Sequence, residues 1–487
     1  MGILSQYMPD SLQIVSALFL ITSIAIAVII VLEKRSPYKT AAWILVLVLV
    51  PVAGLIFYLF FGQNYRKRKM FSRKGLHELG KLRSLISKQL RQVNKKGPKI
   101  NERYEERGKL IALLLKNSHS LLTTGNKVKI LNNAEITFQE IFDAIRRAKN
   151  HIHLEYYIID NDITGNRLKQ LLIKKSSEGV EVRVIIDDVG SWGLKKPFLK
   201  ELTDVGIEIY PFMKVRFPRL TSKLNYRNHR KIAVIDGEIG FTGGINFADR
   251  YLMGAKGIGP WRDTHLKIVG DAVASLQVIF AADWFFVSGQ DLNTNKYYRP
   301  FTDEEGIPMQ ISASGPDSDW ESIGQALFTI ITGAKKSVYI TTPYLIPPLS
   351  IVAALETAAL GGIDVRIIIP EKSDARISKW CSFSFVQGLL EAGVRMYFYR
   401  EGFIHSKLLL ADSEISSVGT TNLDFRSIET NFEVNAFIYD EKLTQKLEHY
   451  FKEDLLKSRE IFLKDWVGRK WHFKLRESLA HIFSPML

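Results

Sequence analysis

One polar pattern occurs twice in this chain of 487 residues, and the two copies lie 176 residues apart. Each copy contains a histidine, a lysine, an aspartate, a glycine and an asparagine at the same spacings. The copies are His229, Lys231, Asp236, Gly243 and Asn246, and His405, Lys407, Asp412, Gly419 and Asn422. Agreement at five positions indicates that the chain is built from two related halves, and its fold must accommodate that repeat.

The histidine and lysine of each copy are two residues apart. On a β-strand such side chains point to the same face, so each copy projects an imidazole and an ammonium into one space. Two of each can hold a phosphodiester: the cations neutralise the non-bridging oxygens, one histidine attacks phosphorus, and the other protonates the leaving oxygen. A single copy would more simply be an exposed strand edge, but the duplication disfavours that interpretation.

The similarity between the halves extends beyond these motifs. Three further sets of positions match between the halves. Ala148-Lys149 matches Ala334-Lys335, and Gly179 matches Gly362, each glycine preceding a β-branched run. Phe280 and Asp283 match Phe451 and Asp454. The runs after the two glycines are nearly continuous in apolar residues, as in strands that are buried on both faces. Because helix and strand signals alternate in both halves, we predict an α/β fold in which a β-sheet flanked by helices forms twice.

Two long apolar stretches, residues 12–32 and 41–61, precede the repeat. The first has 21 residues without a charge, which is about 32 Å of helix and enough to span a bilayer. Because no lysine or arginine precedes Glu33, this stretch lacks the basic start of a signal peptide. We expect two transmembrane helices, while Pro51 and Gly54 leave a re-entrant hairpin as the alternative.

The net charge of +15 is concentrated beside these stretches. Residues 66–100 hold 13 lysines and arginines against one acid, Glu78. By the positive-inside rule we expect the repeat to face the cytoplasm, and the same cations either bind anionic lipid headgroups or serve only as a topology signal. Leucines at helical spacing, continuing to Leu85 and Ile86, are also compatible with an amphipathic helix on the membrane surface.

These features predict four segments. They are a transmembrane hairpin at residues 1–65, a basic juxtamembrane linker or helix at 66–115, a first lobe at 116–300 and a second lobe at 301–487. The carboxyl-terminal end adds a further apolar and basic stretch, with Trp471, Leu475 and Leu479 interleaved with Lys474 and Arg476. From its spacing alone, this stretch is equally compatible with a helix packed on the core and with one at the membrane interface.

We predict neither a metal nor a cofactor. The ten histidines are scattered, and the sequence has no cluster with metal-ligand spacing. The motif histidines are needed as a neutral nucleophile and a protonated acid, roles that a metal would block. Cys381 is the only cysteine, so an intrachain disulfide is impossible.

The duplicated motif resembles that of the phospholipase D superfamily, and secondary motifs narrow the resemblance to the bacterial cardiolipin synthases. These motifs are Arg35-Ser-Pro37 with Ala42-Trp43, Asn228-His-Arg-Lys231 with Gly243-Gly244, Arg262-Asp-Thr-His265, Thr342-Pro-Tyr344, and Asn422-Leu-Asp-x-Arg-Ser427 with Asn431-x-Glu433. The resemblance covers essentially the whole chain. It implies two phospholipase D-like lobes that form an intrachain pseudo-dimer, with one motif from each lobe meeting at a pseudo-twofold axis.

The resemblance also implies roles for the site residues. His229 is expected to form a covalent phosphohistidine and His405 to act as the acid and base, in the usual order of the superfamily. Lys231 and Lys407, aided by Asn246 and Asn422, are expected to neutralise the phosphoryl oxygens. Asp236 and Asp412 are expected to orient and hold the site rather than to transfer protons. Glu433 and Glu155 are candidates to orient an imidazole, and a surface or structural carboxylate is the alternative for Glu155.

The implied reaction is transfer of a phosphatidyl group between two phosphatidylglycerol molecules, giving cardiolipin and glycerol. The alternatives are a membrane-bound phospholipase D that releases phosphatidic acid and a phosphodiesterase or nuclease relative. The expected partners are phosphatidylglycerol and other anionic membrane lipids, with no nucleic acid, and the expected location is the cytoplasmic membrane. The donor lipid, the acyl-chain preference and the oligomeric state stay open.

Overall fold

The computed structural model describes residues 37–49, 83–96, 107–215, 225–292, 294–301 and 305–486, together with Gly54 and several helical positions between 22 and 32. The chain divides into two compact units, residues 1–71 with 215–224 and residues 72–214 with 225–487. We describe each unit by itself.

The described part of the first unit is helical. Helix α1 spans Pro37–Leu49 and begins at a proline, which fits the first turn of a helix because its missing N–H has no partner there. Ile26 and Ile30 pack against Leu47. Among the described residues, none of the helices has both the length and the apolar character needed to cross a membrane. Much of both predicted spanning stretches lies outside the described residues, so the two transmembrane helices stay a prediction.

The second unit begins with helices α2 (Arg83–Lys96) and α3 (Gly108–Asn117) and continues into the first lobe. The strands of this lobe are β1 (Asn126–Asn132), β2 (His151–Tyr156), β3 (Glu181–Asp187), β4 (Glu208–Phe212), β5 (Lys231–Ile235), β6 (Ile239–Gly243), β7 (Trp261–Arg262) and β8 (Thr264–Gly270). All but β7 form one sheet in the order β1-β8-β6-β5-β2-β3-β4. The helices are α4 (Ala134–Arg147), α5 (Ile163–Ser177), α6 (Lys196–Thr203), α7 (Arg250–Met253) and α8 (Ala272–Ser288).

The second lobe repeats this plan. Its strands are β9 (Met309–Ser314), β10 (Ser337–Thr341), β11 (Leu345–Ile346), β12 (Asp364–Pro370), β13 (Arg395–Tyr399), β14 (Phe403–Ile404), β15 (Leu408–Ala411), β16 (Ile415–Gly419), β17 (Leu423–Asp424), β18 (Glu433–Ile438) and β19 (Ser458–Ile461). Eight of them form a sheet in the order β19-β13-β12-β10-β15-β16-β18-β9. The helices are α9 (Ser322–Gly333), α10 (Leu349–Leu360), α11 (Arg376–Ser384), α12 (Val386–Glu391), α13 (Phe425–Glu429), α14 (Glu441–Leu456), α15 (Leu463–Val467) and α16 (Trp471–His481).

The two sheets correspond strand by strand. In the first lobe β2, β3 and β4 are parallel and β2 pairs antiparallel with the motif strand β5, while in the second lobe β10, β12 and β13 are parallel and β10 pairs antiparallel with β15. The register also agrees, because Gly243 faces His265 in one sheet and Gly419 faces Asn435 in the other. Strand β19 is the addition in the second lobe. The predicted α/β fold with two sheet-containing lobes is therefore confirmed.

The lobes pack through the inner faces of their sheets. Alternate residues of the motif strands, including Ile232 and Val234 of β5 and Leu408 and Leu410 of β15, meet in one buried cluster together with residues of α8 and α14. The opposite faces of the sheets are covered by helices, with α4–α6 on the first lobe and α9–α12 on the second. Because both faces of both sheets are buried, the central strands are nearly continuous in apolar residues.

The helices before the first sheet pack on the protein. Leu110 and Leu114 of α3 lie in the core of the second lobe, although the linker that contains them precedes the first lobe in sequence. In α2, Ile86 is buried against Leu115 and Val278. The described part of the predicted amphipathic helix therefore directs its apolar side chains toward the lobes, while Leu76, Leu79 and Leu82 lie outside the described residues.

Candidate active site

The two motif histidines are held where the lobes exchange backbone hydrogen bonds. The amide of His229, just before β5, donates to the carbonyl oxygen of Phe432 in the second lobe (2.9 Å). The amide of His405, just before β15, donates to the carbonyl oxygen of Arg262 in the first lobe (2.7 Å). Strand β7 also pairs in parallel with β14 directly before His405. Each histidine is thus fixed by its own motif strand and by the backbone of the opposite lobe.

The His229 side chain is oriented by a carboxylate of the second lobe. Its Nδ1 lies 3.0 Å from both carboxyl oxygens of Glu433. Glu433 is fully buried and also accepts a hydrogen bond from the hydroxyl of Thr420. Hydrogen bonds from His229 and Thr420 and the charge of Lys231 outweigh burial and hold the pKa of Glu433 below its ordinary value. An ionised Glu433 requires the proton of His229 on Nδ1, which leaves the Nε2 lone pair for chemistry.

The His405 side chain is likewise oriented by a carboxylate, which in this case comes from the first lobe. Its Nδ1 lies 2.6 Å from Oδ2 of Asp263, a residue of the first lobe, and 2.9 Å from Nζ of Lys407. Asp263 is buried, and burial raises the pKa of its carboxyl group, with Lys407 opposing that rise. The two lobes therefore exchange carboxylates: each lobe orients the histidine of the other.

Asp263 belongs to the motif Arg262-Asp-Thr-His265, but the sequence analysis assigned it no role in the site. Asp263 corresponds to Glu433 in the second lobe. Asp263 lies two residues before His265, which pairs with the motif glycine of the first sheet, and Glu433 lies two residues before Asn435, which pairs with that of the second. The constant spacing of the motifs conceals this match. Asp263 follows Asn246 by 17 residues and Glu433 follows Asn422 by 11, since α7 and β7 lengthen the first connection. Aligning the halves on their strands would have identified it.

The two motif lysines form a buried cationic pair. Nζ of Lys231 donates to the carbonyl oxygen of His229 (2.7 Å), and Nζ of Lys407 donates to that of His405. Burial lowers the pKa of Lys231 to about 7 and that of Lys407 to about 8, against the opposing charges of Glu433 and Asp263, and the charge of Lys407 further lowers the pKa of Lys231. Such a pair is stabilised by a bound anion, which restores the missing negative charge.

Burial favours the neutral form of both imidazoles. Burial lowers the pKa of His229 to about 4, with Glu433 opposing the shift. The pKa of His405 is lowered well below its ordinary value by burial and then by Lys407, Lys231 and His229. The histidines and lysines of the two motifs are therefore close enough to influence one another's protonation.

Aromatic rings line this environment. Tyr157 lies edge-on to the His229 ring with 5.0 Å between centroids, and Nζ of Lys231 is 5.5 Å from the Tyr157 ring. The rings of Tyr251 and Trp261 lie 5.7 and 5.1 Å from that of His405. These contacts keep both imidazoles in apolar walls that restrict the access of water.

The two motif asparagines are placed differently. Asn246 is fully engaged in the fold, since its Oδ1 accepts from the Ile158 amide (3.1 Å) and its Nδ2 donates to the Tyr251 hydroxyl (2.6 Å). The Oδ1 of Asn422 is buried and has no hydrogen-bond partner among the described residues. Only Asn422 therefore offers a polar atom to a ligand through its side-chain oxygen.

Asp236 and Asp412 lie away from the histidines. They end the motif strands, which places each of them roughly 16 Å along its strand from the motif lysine. Both adopt φ = 55°. Each carboxylate accepts three consecutive backbone N–H groups at 2.7–2.9 Å; the donors are Lys149, Asn150 and His151 for Asp236, and Lys335, Lys336 and Ser337 for Asp412. These aspartates fix the starts of β2 and β10 to the motif strands.

Glu155 lies behind His229 in a buried polar network. Its Oε1 accepts from Nδ2 of Asn228 (2.6 Å), the residue that precedes His229. Burial and the adjacent Asp283 raise the pKa of Glu155 well above its ordinary value. Asp283 in turn pairs with Arg230. Glu155 thus supports the motif strand through Asn228, whereas Glu433 contacts the imidazole of His229 itself.

No three histidine, cysteine, aspartate or glutamate side chains in the described part of the chain are arranged to hold a metal ion. The chemistry available to this site is that of imidazole, carboxylate and ammonium groups. The absence of a metal requirement stays a prediction.

The chain matches known protein families over both lobes. The family model described as "Cardiolipin synthase, PLD-like domain" matches residues 141–284 and 327–455, and a model described as "Phospholipase D-nuclease N-terminal" matches residues 20–63. Cardiolipin synthase 2 of Bacillus anthracis is 43% identical over 475 residues, covering 96% of this chain and 91% of that protein. The major cardiolipin synthase ClsA of Bacillus subtilis (strain 168) is 41% identical over 479 residues, covering 98% and 99%.

Among solved structures, phosphatidylserine synthase of Haemophilus influenzae Rd KW20 superimposes with a TM-score of 0.60 at 14% identity, covering 80% of this chain and all of that one. This likeness concerns the fold alone. The matches to one domain model in both halves confirm the duplication that the two motifs predicted. With more than 40% identity to curated relatives over nearly its whole length, the chain belongs to the bacterial cardiolipin synthases of the phospholipase D superfamily.

Proposed function

We propose that this protein is a phosphatidyltransferase that joins two phosphatidylglycerol molecules into cardiolipin and releases glycerol. One observation carries the proposal: two histidines from different lobes each bond through Nδ1 to a carboxylate of the opposite lobe, beside two buried lysines. This arrangement supplies a nucleophile, an acid and positive charge around one phosphodiester, and the names of its relatives specify the product as cardiolipin.

In the first step Nε2 of His229 attacks the phosphorus of the donor lipid. The bond between phosphorus and the glycerol headgroup oxygen breaks, and that oxygen takes a proton from Nε2 of His405, so that glycerol leaves as a neutral alcohol. Glu433 stabilises the positive imidazole ring that forms at His229. The negative phosphodiester, placed between Lys231 and Lys407, raises the pKa of His405 from its value in the empty site and allows it to carry the required proton.

In the second step a phosphatidylglycerol molecule enters as the acceptor. Nε2 of His405 removes the proton from its terminal hydroxyl, the hydroxyl oxygen attacks phosphorus, and the phosphorus–nitrogen bond to His229 breaks. Cardiolipin forms and both histidines return to their starting states. The lysine ammonium groups stabilise the oxygens of both pentacoordinate transition states. The buried Oδ1 of Asn422 is an acceptor and therefore suits a glycerol hydroxyl better than a phosphoryl oxygen.

Transfer rather than hydrolysis requires that the acceptor lipid reach the intermediate before water. The burial of both histidines and the aromatic walls around them support the exclusion of water. A site that receives its acceptor from a bilayer also gains from the high local concentration of lipid. We further propose the four segments predicted from the sequence, with the hairpin at 1–65 in the membrane, the linker at 66–115, and the lobes at 116–300 and 301–487 on the cytoplasmic side.

Product analysis tests this function. Purified full-length protein, incubated with vesicles of labelled phosphatidylglycerol, is expected to yield cardiolipin and glycerol in equal amounts. The matched controls are His229→Asn and His405→Asn, which remove the reacting nitrogens at nearly constant size. Phosphatidic acid without cardiolipin would identify a phospholipase D instead, and turnover of a nucleic acid substrate would point to the nuclease branch.

A further inference from the structure

Helix α16 is packed with most of its large apolar side chains directed away from the protein. Its inner face consists of Glu477 and Ala480, both buried. Four exposed large apolar side chains share the other face: Trp471 (72%), Leu475 (48%), Leu479 (52%) and Ile482 (69%), the last being the residue directly after the helix. Phe473, also partly exposed (44%), lies on the side of the buried residues. At about 100° per residue these four occupy an arc of about 80° on the side opposite the buried residues. A surface helix of a soluble protein has the reverse arrangement.

Polar contacts hold this helix in its orientation. Glu477 accepts two hydrogen bonds from the guanidinium group of Arg469, at 2.6 and 2.8 Å. The same guanidinium group lies 3.2 Å from the centroid of the Trp466 ring. On the other side, Ser384 of α11 lies 2.9 Å from Nδ1 of His481. Because charged groups fasten the inner face, rotation of the apolar stripe into the core would require breaking a partly buried, bidentate ion pair.

Cations border the exposed stripe on both sides. On the helical projection Lys474 lies beside one edge of the stripe and Arg476 beside the other. Residues 468–487 contain four lysines and arginines and one acid, Glu477, which is already paired with Arg469. A tryptophan and leucines between basic side chains are the composition of a helix that lies in the plane of a membrane interface. Positive charge at its edges is complementary to anionic headgroups.

We propose that the exposed face of α16, formed by Trp471, Leu475, Leu479 and Ile482, is a docking surface for an anionic lipid bilayer. The four side chains enter the boundary between headgroups and acyl chains, and Lys474 and Arg476 contact lipid phosphates. This surface belongs to the lobes themselves and is separate from the predicted transmembrane hairpin.

The position of α16 connects this surface with the site. The helix packs along α11, which spans nine residues and is therefore about 14 Å long. Two residues before α11, Asp374 accepts a hydrogen bond from the Tyr344 hydroxyl (2.7 Å). The Tyr344 ring lies 6.4 Å from the Phe403 ring, which lies 5.8 Å from that of His405, so this end of α11 is connected to the site. Docking through α16 would hold the site within about one short helix of the lipid surface. At that distance, the headgroup of a lipid substrate could reach the site while its acyl chains stay in the bilayer.

Lipid contact can be tested without turnover. Cys381 is the only cysteine and is buried, so Cys381→Ser provides a background for single labels. An environment-sensitive fluorophore at Leu479→Cys is compared with one at Lys174→Cys, an exposed position on α5. In full-length protein reconstituted into phosphatidylglycerol vesicles, brominated acyl chains are expected to quench the label at 479 and to leave the label at 174 unchanged. No quenching at 479 would overturn the proposal, and shielding from aqueous iodide without lipid quenching would indicate a second copy of the chain as the occupant.

A triple variant tests the functional consequence, which rests on the proposed transferase activity. Trp471→Gln, Leu475→Gln and Leu479→Gln together are expected to lower cardiolipin formation on vesicles by about tenfold or more, since each apolar side chain removed weakens interfacial binding. Activity in detergent-mixed micelles and the melting temperature are expected to stay unchanged. The control is Ile163→Gln with Leu360→Gln, two exposed apolar residues elsewhere (69% and 74% exposed). Equal losses in micelles, or full activity on vesicles, would overturn the proposal, whereas a wild-type protein inactive in both assays would count against the proposed reaction alone.

Discussion

The two halves of the site share a backbone plan and differ in their electrostatics. In both, a histidine before a motif strand bonds through Nδ1 to a carboxylate from the opposite lobe. Glu433 accepts from His229 with both oxygens and from Thr420. Asp263 approaches His405 with one oxygen, and the ammonium of Lys407 lies 2.9 Å from the same ring nitrogen. Duplication therefore produced two similar scaffolds whose imidazoles are not chemically equivalent.

This difference favours His229 as the nucleophile. An ionised Glu433 increases the basicity of His229 and stabilises the positive ring that forms on attack. The nearby ammonium of Lys407 instead opposes positive charge on His405 until an anionic phosphodiester arrives. A group that becomes protonated only when substrate binds suits the acid of the first step. The usual order of the superfamily gives the same assignment, and the following predictions test the comparison.

The largest effect is expected when the motif histidines are replaced and the variants are assayed with a substrate that carries an activated leaving group. With phosphatidyl p-nitrophenol, His229→Asn is expected to lower p-nitrophenol release on the order of 10⁴-fold or more, because no phosphoenzyme can form. His405→Asn is expected to keep a rapid burst of one p-nitrophenol per site, since this leaving group needs no proton. Stopped-flow absorbance measures both. A burst in His229→Asn and none in His405→Asn would reverse the assignment.

The carboxylates provide the next contrast. Glu433→Gln and Asp263→Asn are both expected to reduce kcat by about 10²–10³-fold, since each removes the charge that orients and stabilises an imidazole. Glu433→Gln is expected to slow the burst with p-nitrophenol, whereas Asp263→Asn should slow only the later transfer to the acceptor lipid. Circular dichroism of both variants controls for folding. Identical effects on burst and transfer would show that the two carboxylates do not serve different steps.

Much of the fold was predictable from the sequence because the duplication repeats strand signals as well as motifs. The runs after Gly179 and Gly362 predicted the buried parallel strands β3 and β12, and the alternation of elements predicted two α/β lobes. The packing of α3 on the second lobe was not predictable, because an apolar helix face does not specify its partner. The interpretation of the carboxyl-terminal stretch also needed the structure, which places Trp471 and Leu479 on the exposed side of α16.

The site was predictable where it depends on local spacing and less so where it depends on contacts between lobes. The two motifs supplied the histidines and lysines directly. Asp263 was missed because the first lobe has a longer connection after Asn246, which removes it from the regular spacing. Asp236 and Asp412 share the motif, yet they bind backbone amides at the far ends of the strands. A shared pattern thus identifies the residues that both halves of the repeat retain. It does not distinguish reactive residues from structural ones.

A smaller effect of the asymmetry is expected in the pH dependence. With the pKa of Lys231 at about 7 and that of Lys407 at about 8, both ammonium groups are charged below these values and lose their protons as the pH rises through them. The kcat/KM for an anionic lipid should therefore fall above pH 7, by up to roughly tenfold per unit. Arginine stays charged, so Lys231→Arg should remove the lower break and Lys407→Arg the upper one. If the pH profiles of both arginine variants matched that of the wild type, the titrating groups would not be these two lysines.

The smallest effect is expected from the motif asparagines, whose equal spacing conceals different surroundings. Asn246→Ala leaves the buried Ile158 amide and the Tyr251 hydroxyl without their partner, and is expected to lower the free energy of unfolding by about 1–3 kcal/mol. Asn422→Ala removes an oxygen that bonds no described residue and one hydrogen bond to Asp424, so it should cost less stability than Asn246→Ala, while transfer to the acceptor lipid falls about tenfold and the p-nitrophenol burst is kept. Denaturant titration and single-turnover assays separate these outcomes. If Asn422→Ala instead destabilised the protein while Asn246→Ala slowed transfer, the first lobe would be the one that binds the acceptor hydroxyl.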